Sequence, residues 1–529
     1  MSSPASSRQY AYNTLGYLAS DTNGRNQTGS RLYDDAGRII SRTDPDGTVS
    51  YTYDNNANIL TVTDAGGTIT RVYDALNRIT SYTDTRGNNI QYTYDQAGNL
   101  TRLTYPDGKQ VNYIYDATNQ LTAVTDWANR TTSYTYDPNG RLIQTNRPDG
   151  SIETRLYDDN GQIIQLKDTC MDTLISQYDL TYDTAGNITA ESAQGVQQTY
   201  NLSDVTMTYT TGNRLATYDG SAVSYDADGN MTSAPLLGAM QNFTYDSRNR
   251  LTAAGATTYT YDAENQRIAT TANGQQTDYV INPNTELSQV LIKTDPGNIK
   301  TYYIYGLGLI GEESNSVYKY YHYDLRGSTI ALSNINGAVT DRFQCGPYGE
   351  LQKISGDSTT PFLYNGRDGV ITDPNGLYYM RARYYNPDIM RFMNQDVLTG
   401  SIDKSPTLNR YAYVNGNPVN SVDPFGLRCA NAKDQYWEMG SYPGALEIVK
   451  HYASYAKYAI PKHPGEFAIG MVEIWDGSYR VFLCGVAVVG GAAGGPVDIP
   501  LVIAVTPVAA TGVVEAGHGA YDIYKSYKD

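Results

Sequence analysis

Tyr-Asp pairs recur at positions 33, 53, 73, 94, 115, 136 and 157, so the chain repeats itself every 20 or 21 residues across seven units. A fixed period of this length constrains the fold more than any other feature of the chain. Each unit is one small supersecondary element that can bury its apolar face only against its neighbours. Four residues after each tyrosine stand Gly37, Ala57, Asn77, Gly98, Asn119, Gly140 and Gly161. All but Ala57 are residue types that tolerate positive φ, which predicts a tight turn in every unit. A short run such as RIISRT (38–43) or RLIQTN (141–146) follows, then a second turn, PDG at 45–47, 106–108 and 148–150 or AGG at 65–67. An alternating segment such as TVSYTYD leads into the next Tyr-Asp pair. Each unit therefore reads as strand, turn, strand, turn, with strands of about 5–7 residues. One hairpin cannot bury its face alone, so the units are expected to stack into a continuous sheet with edges only at its ends. Alternation puts Tyr, Ile and Leu on one face and Thr, Ser, Arg and Asn on the other. The repeated tyrosines and aspartates read as packing and turn-bonding residues rather than catalytic ones.

The signature persists with looser spacing at Tyr182-Asp183, Tyr225-Asp226, Tyr245-Asp246 and Tyr261-Asp262, and no linker separates these from the earlier units. The fold class is all-β to about residue 427. Composition agrees: 50 Tyr and 49 Gly with only 18% charged residues fit neither a disordered chain nor a coiled coil. The formal charge of −16 argues against a nucleic-acid or anionic-membrane surface for the chain as a whole. Cys170, Cys345, Cys429 and Cys484 lie far apart without a CxxC, which reads as free, partly buried thiols rather than a disulfide framework or a zinc site. No cofactor pattern is present. The N-terminal MSSPASSRQYAYNTLGY has no basic region leading into an apolar one, so no secretory signal is expected. The repeat pattern, under way by about residue 30, suits a fragment or a shortened gene.

After residue 427 the chain changes character. Residues 445–459 carry apolar groups near helical spacing and predict a helix, while 466–483 reads as a strand, a DG turn and a second strand. Residues 481–497 and 499–514 are almost free of charge, interrupted by Asp498 between Pro496 and Pro500. Neither reaches the roughly 20 apolar residues of a spanning helix, yet their small residues suit close helix packing in a membrane, with a hairpin at the Pro-Val-Asp-Ile-Pro segment. The alternatives are the core of a small soluble domain, an inert tail, or an enzyme. Enzymatic candidates would be His451, His463, Glu466, Glu473, His518 and Asp522, which match no metal or nuclease spacing. The 8 basic and 10 acidic residues beyond 427 favour no nucleic-acid substrate.

Several unusual strings precede the change: YYHYDLRGSTIAL (320–332), RFQCGPYGE (342–350), GLYYMRARYYNPDIMRF (376–392) and YAYVNGNPVNSVDPFGL (411–427). Together with the repeats they resemble the Rhs/YD-repeat family, which includes bacterial Rhs polymorphic toxins, the C components of insecticidal toxin complexes and the YD shells of teneurins. The resemblance covers residues 30 to 427. It implies a YD-repeat β-hairpin spiral forming a hollow shell over 1–318, an associated core over 319–427, and a variable C-terminal payload over 428–529, small and α+β or helical. It also implies that the payload is enclosed and is cut from the core after the DPxGL motif, between Leu427 and Arg428.

The junction offers two carboxylates, Asp396 in RFMNQD and Asp423 in VDPFGL, with Arg383 in RARYYNP nearby. Peptide hydrolysis needs a base to activate water and an acid to protonate the departing group, and a carboxylate pair sharing one proton supplies both. A guanidinium beside them stabilises the ionised partner. The family's self-cleaving site is similar, and its two aspartates and arginine carry over to Asp396, Asp423 and Arg383. The sequence departs from the family pattern at Val397, where relatives have proline. Read without the family, Asp423 would simply cap the Pro-Phe-Gly turn and Asp396 end a strand. His322, in the YHYD string, reads as a packing residue. The resemblance implies an encapsulating toxin for interbacterial competition, held in the producer's cytoplasm before export through a dedicated system to the cell surface or medium. Its partners would be its own C-terminal cargo, an immunity protein, a delivery apparatus and, for 481–514, a target membrane. The alternatives are a cell-surface adhesion or carbohydrate-binding repeat protein, and an orphan cassette with an inert tail.

Overall fold

The computed structural model describes residues 8–196, 204–398, 400 and 405–427, together with strands at 430–431, 469–476, 479–486 and 502–507. Among the described residues, an 18-stranded sheet runs from Gln9–Tyr12 to Ile188–Gln194, each strand pairing antiparallel with the next in sequence. A three-stranded sheet spans Met207–Ala222, and a 14-stranded meander follows from Ser224–Tyr225 to Leu351–Ser355. One unbroken sheet was expected from the repeats. Among the described residues the strands fall instead into separate sheets between Tyr182-Asp183 and Tyr225-Asp226, where the regular spacing is lost although Tyr218-Asp219 stands there.

The repeat residues explain the regularity. Most of the repeat tyrosine hydroxyls reach back to a backbone carbonyl of the preceding hairpin: Tyr53 donates to Ile39 at 2.7 Å, Tyr73 to Ile59 at 2.8 Å and Tyr94 to Ile79 at 2.9 Å. Opposite each of these tyrosines the following strand carries one extra residue, Leu60 facing Thr52/Tyr53 and Thr80 facing Val72/Tyr73, and the strict alternation of that strand breaks there. The following aspartate closes the turn. Asp34 Oδ1 accepts the amides of Ala36 and Arg38 at 3.0 and 2.9 Å, and its Oδ2 accepts Arg38 Nε at 2.7 Å. The same three bonds recur at Asp74 and Asp137. The arginine then covers the next repeat's tyrosine ring, Arg38 over Tyr53 at 4.7 Å and Arg78 over Tyr94 at 4.6 Å. The expected positive-φ position holds at Gly37, Asn77, Gly98, Asn119, Gly140 and Gly161, and Ala57 adopts it too, with φ 67°. On the opposite face threonine hydroxyls pair across strands, as in Thr52–Thr61 at 2.6 Å and Thr63–Thr68 at 2.9 Å.

The two large sheets meet in sequence order. Arg25 pairs with Asp228 at 2.8 Å, Asp44 with Arg248 at 2.7 Å, Arg86 with Asp278 at 2.8 Å and Arg130 with Glu313 at 2.5 Å. Arg71 and Glu264 form a fully buried pair between them. Near the end of the first sheet, Asp168 Oδ2 meets His322 Nδ1 at 2.7 Å, and Ser333 Oγ bonds Asp149 Oδ2 at 2.5 Å. The second sheet thus follows the first as the next winding of one ribbon. His322 is completely buried in this contact, its Nε2 2.8 Å from Ser333 Oγ.

The described residues between 360 and 427 pack against the second sheet. Tyr364, Tyr378, Tyr385, Phe392 and Tyr413 form an aromatic cluster there. Arg267, wholly buried, grips Asp373 through Nη1 at 2.7 and 2.8 Å, and the Tyr379 ring stands 4.1 Å from its guanidinium. Beyond residue 427, the strands Ile469–Asp476, Tyr479–Val486 and Val502–Pro507 form an antiparallel sheet. The first pair agrees with the strand–DG–strand reading. The helical reading of the two apolar stretches is corrected at 481–486 and 502–507: their β-branched Val and Ile residues sit in strands that pair with each other. No helix among the described residues is long and apolar enough to cross a membrane. The helix expected over 445–459 lies outside the described residues.

Two stability measurements check this account. Ala57→Gly relieves an exposed left-handed alanine and is expected to raise the unfolding free energy by about 1 kcal/mol, moving the denaturation midpoint up without changing the denaturant slope. Asp262 is a repeat aspartate covered by the first winding, and burial, with Glu264 beside it, pushes its carboxyl up to about 8. The folded protein therefore holds a proton that the unfolded chain releases near pH 4, so this group erodes stability as pH rises from about 4 to about 8. Asp262→Asn keeps an acceptor for the Glu264 and Gln266 amides. It is expected to stabilise the fold by about 1–3 kcal/mol at pH 8 and to do little at pH 4.

Candidate functional site

The site is built on a short hairpin, Tyr378–Met380 and Arg383–Asn386, in which Met380 pairs with Arg383. The aromatic cluster and the Arg267–Asp373 pair hold this hairpin on the second sheet. Arg383 is 4% exposed and lies over the Phe392 ring, with 3.6 Å between guanidinium carbon and ring centre. Its Nη2 faces both predicted aspartates, Asp396 Oδ2 at 2.8 Å and Asp423 Oδ2 at 3.7 Å. Residues 13 and 40 positions away from Arg383 thus meet at one nitrogen. The two carboxylate oxygens can be no farther apart than those two distances laid end to end.

Backbone bonds fix all three. Arg383 Nη1 donates to the Arg410 carbonyl at 3.1 Å, and its Nε donates to the Gly426 carbonyl. Asp396 is held through its amide, which donates to Arg410 O at 2.9 Å, and through its carbonyl, which accepts Arg410 Nε at 2.8 Å. Asp396 Oδ1 also accepts the Leu398 amide at 2.8 Å. Asp423 opens a turn in which its carbonyl accepts the Gly426 amide at 3.2 Å, and its Oδ1 accepts the Leu427 amide at 3.1 Å. Asp423 therefore does cap the Pro-Phe-Gly turn, as the plain reading had it, and it faces Arg383 as well.

Burial governs the electrostatics. It pushes the Asp396 carboxyl above the usual carboxylate range, although Arg383 pulls the other way. It also draws the Arg383 guanidinium below its ordinary value, against the attraction of Asp396 and Asp423. An arginine with two carboxylates, one biased toward its protonated form, can hold a single proton between two acids beside a peptide. Leu427 is described up to its link with Arg428, and Arg428 lies outside the described residues.

Sequence reasoning missed Arg410 and Arg381. Arg410 holds Asp396 through the backbone. Arg381 donates to Pro424 O at 2.7 Å, Ser288 O at 2.8 Å and Asp368 O at 2.9 Å. The signal available for Arg381 was the first arginine of the RAR string, in a hairpin loop where glycine is the usual occupant. Cys170 and Cys345 are not joined in a disulfide, and among the described residues no group of three or more His, Cys, Asp or Glu side chains could hold a metal ion.

Comparison with known proteins places the chain. The family described as Teneurin YD-shell matches residues 7–155 and 148–419. The tRNA3(Ser)-specific nuclease WapA of Bacillus spizizenii is 31% identical over 273 residues, which are 49% of this chain and 11% of that protein. Double-stranded DNA deaminase toxin A of Burkholderia cenocepacia is 30% identical over 122 residues, 22% of this chain and 8% of the relative. The chain therefore spans only a small part of the length of these relatives. Among solved structures, the complex titled TcdB2-TccC3-TEV superposes with a TM-score of 0.62 at 17% identity, covering 81% of this chain and 28% of the other, a likeness of fold. The tandem hairpins, the matched span and the shared fold lead to one conclusion: the chain belongs to the teneurin YD-shell family, within the Rhs/YD-repeat proteins.

Proposed function

We propose that the chain is the shell and cleavage module of an Rhs-type polymorphic toxin, which encloses its C-terminal segment and severs it after Leu427. One observation carries the reading: the guanidinium of Arg383 serves Asp396, Asp423 and the Gly426 carbonyl at once. The carbonyl one residue before the proposed scissile bond is thereby tethered to the group that organises both acids. Asp423, in its ionised form, takes a proton from water, whose oxygen adds to the Leu427 carbonyl carbon. Asp396, biased toward its protonated form by burial, gives its proton to the departing amine of Arg428. The products are a Leu427 carboxylate and a new N-terminus at Arg428. Because substrate and catalyst share one chain, high effective concentration lets a modest catalyst complete its single turnover.

Relatives named as a tRNA nuclease and as a DNA deaminase toxin support a common shell serving different activities. On this reading 428–529 is a variable effector, its producer is protected by an immunity protein, and a dedicated apparatus exports the assembly for use against competing cells. The division into repeats over 1–318, core over 319–427 and payload over 428–529 belongs to the same proposal.

Purified full-length protein is expected to give two bands on a denaturing gel, one of them the 102 residues beyond Leu427, and one species under native conditions. Asp423→Asn and Asp396→Asn each slow the cut by at least about 100-fold. The wild-type rate falls as pH rises through the elevated titration of Asp396. A single full-length band that binds glycans would support the adhesive alternative instead.

A further inference from the structure

The three carbonyls leading to Leu427 are each gripped by a successive residue of the hairpin loop. Pro424 O accepts Arg381 Nη1 at 2.7 Å, Phe425 O accepts the Ala382 amide at 3.1 Å, and Gly426 O accepts Arg383 Nε. The chain at Gly426 passes so close that an added Cβ would stand 2.6 Å from Met380 O, in a residue whose φ is +72°. Arg381 itself holds φ 53°, a conformation that side-chain-bearing residues rarely adopt, and its guanidinium is anchored to Ser288 O and Asp368 O. The Leu427 side chain, by contrast, is only half-buried.

We infer that the position of the cut is set by backbone register against the 381–383 loop, with Arg381 as a positioning residue, and not by recognition of the Leu427 side chain. The inference rests on the cleavage reading above and gives that site its substrate rule: main-chain carbonyls of a Pro-Phe-Gly turn held residue by residue, as extended peptides are read elsewhere through their backbone. The bond beyond the third gripped carbonyl is the one presented to Asp396 and Asp423, whatever side chain follows.

Fragment mass and cleavage rate in the full-length protein test this. Leu427→Ala is expected to cut at the same place within about three-fold of the wild-type rate. A glycine inserted between Gly426 and Leu427 is expected to move the cut to just after the inserted residue, so that the released fragment gains Leu427. Arg381→Gly suits the positive φ, which offsets part of the cost of losing the anchoring bonds to Ser288 and Asp368, and it removes the Pro424 bond. It is expected to leave the unfolding temperature near wild type and the pH profile unshifted while slowing the cut about 10- to 100-fold. Cutting that stays after Leu427 in the insertion variant, or is lost there, overturns the inference, as does wild-type speed in Arg381→Gly or a collapse of rate in Leu427→Ala. Wild-type protein that never cuts would instead overturn the cleavage reading, and this inference with it.

Discussion

The structure depends on the bracket formed by each Tyr-Asp pair. The tyrosine hydroxyl satisfies a carbonyl in the hairpin behind it, while the aspartate satisfies two amides of its own turn. Where the fourth residue on is arginine, it binds the aspartate, covers the following tyrosine and reaches the carbonyl beside it, as Arg38 does to Asp54. Units that carry the full bracket are thereby tied to both neighbours through groups that would be costly to leave unpaired. A ribbon of single hairpins gains cooperativity from bonds that cross the hairpin boundary, which is how a repeat with little apolar bulk per unit can persist over so many strands.

The same bracket changes character when a second winding covers it. At Asp34 the turn is open to water, and the Arg38 amide bond holds the carboxyl below its ordinary range. At Asp262 the first winding closes over the turn and burial drives the carboxyl the other way. The contact between windings is a shared apolar core, in which Val62, Ile90 and Val124 of the first sheet join Phe243, Ile292 and Leu309 of the second, and it is studded with ion pairs such as Arg71–Glu264 and Arg248–Asp44 and with the His322–Asp168 bond. These polar contacts fix register more sharply than the apolar packing does, since a one-residue slip strands buried charges.

The candidate site uses the rigidity this provides. Arg383 is immobilised by an aromatic cluster beneath it and by carbonyls from two other segments, so that two acids from separate loops converge on a fixed donor. The DPFGL turn docks on the adjoining hairpin loop, and Gly426 is required there because Met380 O leaves no room for a side chain.

The sequence by itself determined the hairpins, their turns and their polarity, because these follow from φ preferences and two-residue alternation within some 20 residues of chain. Gly37, Asn77 and Asp34 could be assigned their roles without coordinates for that reason. Even Ala57, the odd member, follows the bracket around it rather than its own preference. The junction residues Asp396, Asp423 and Arg383 were legible through their motifs, but their meeting was not, since nothing periodic links positions 383, 396 and 423. Only the tertiary structure decided which winding lies on which, that Asp262 is covered while Asp34 is not, and that Arg381 and Arg410 brace the site. Those outcomes depend on contacts between residues tens to hundreds of positions apart, where local propensity carries no information and packing geometry alone selects the partner.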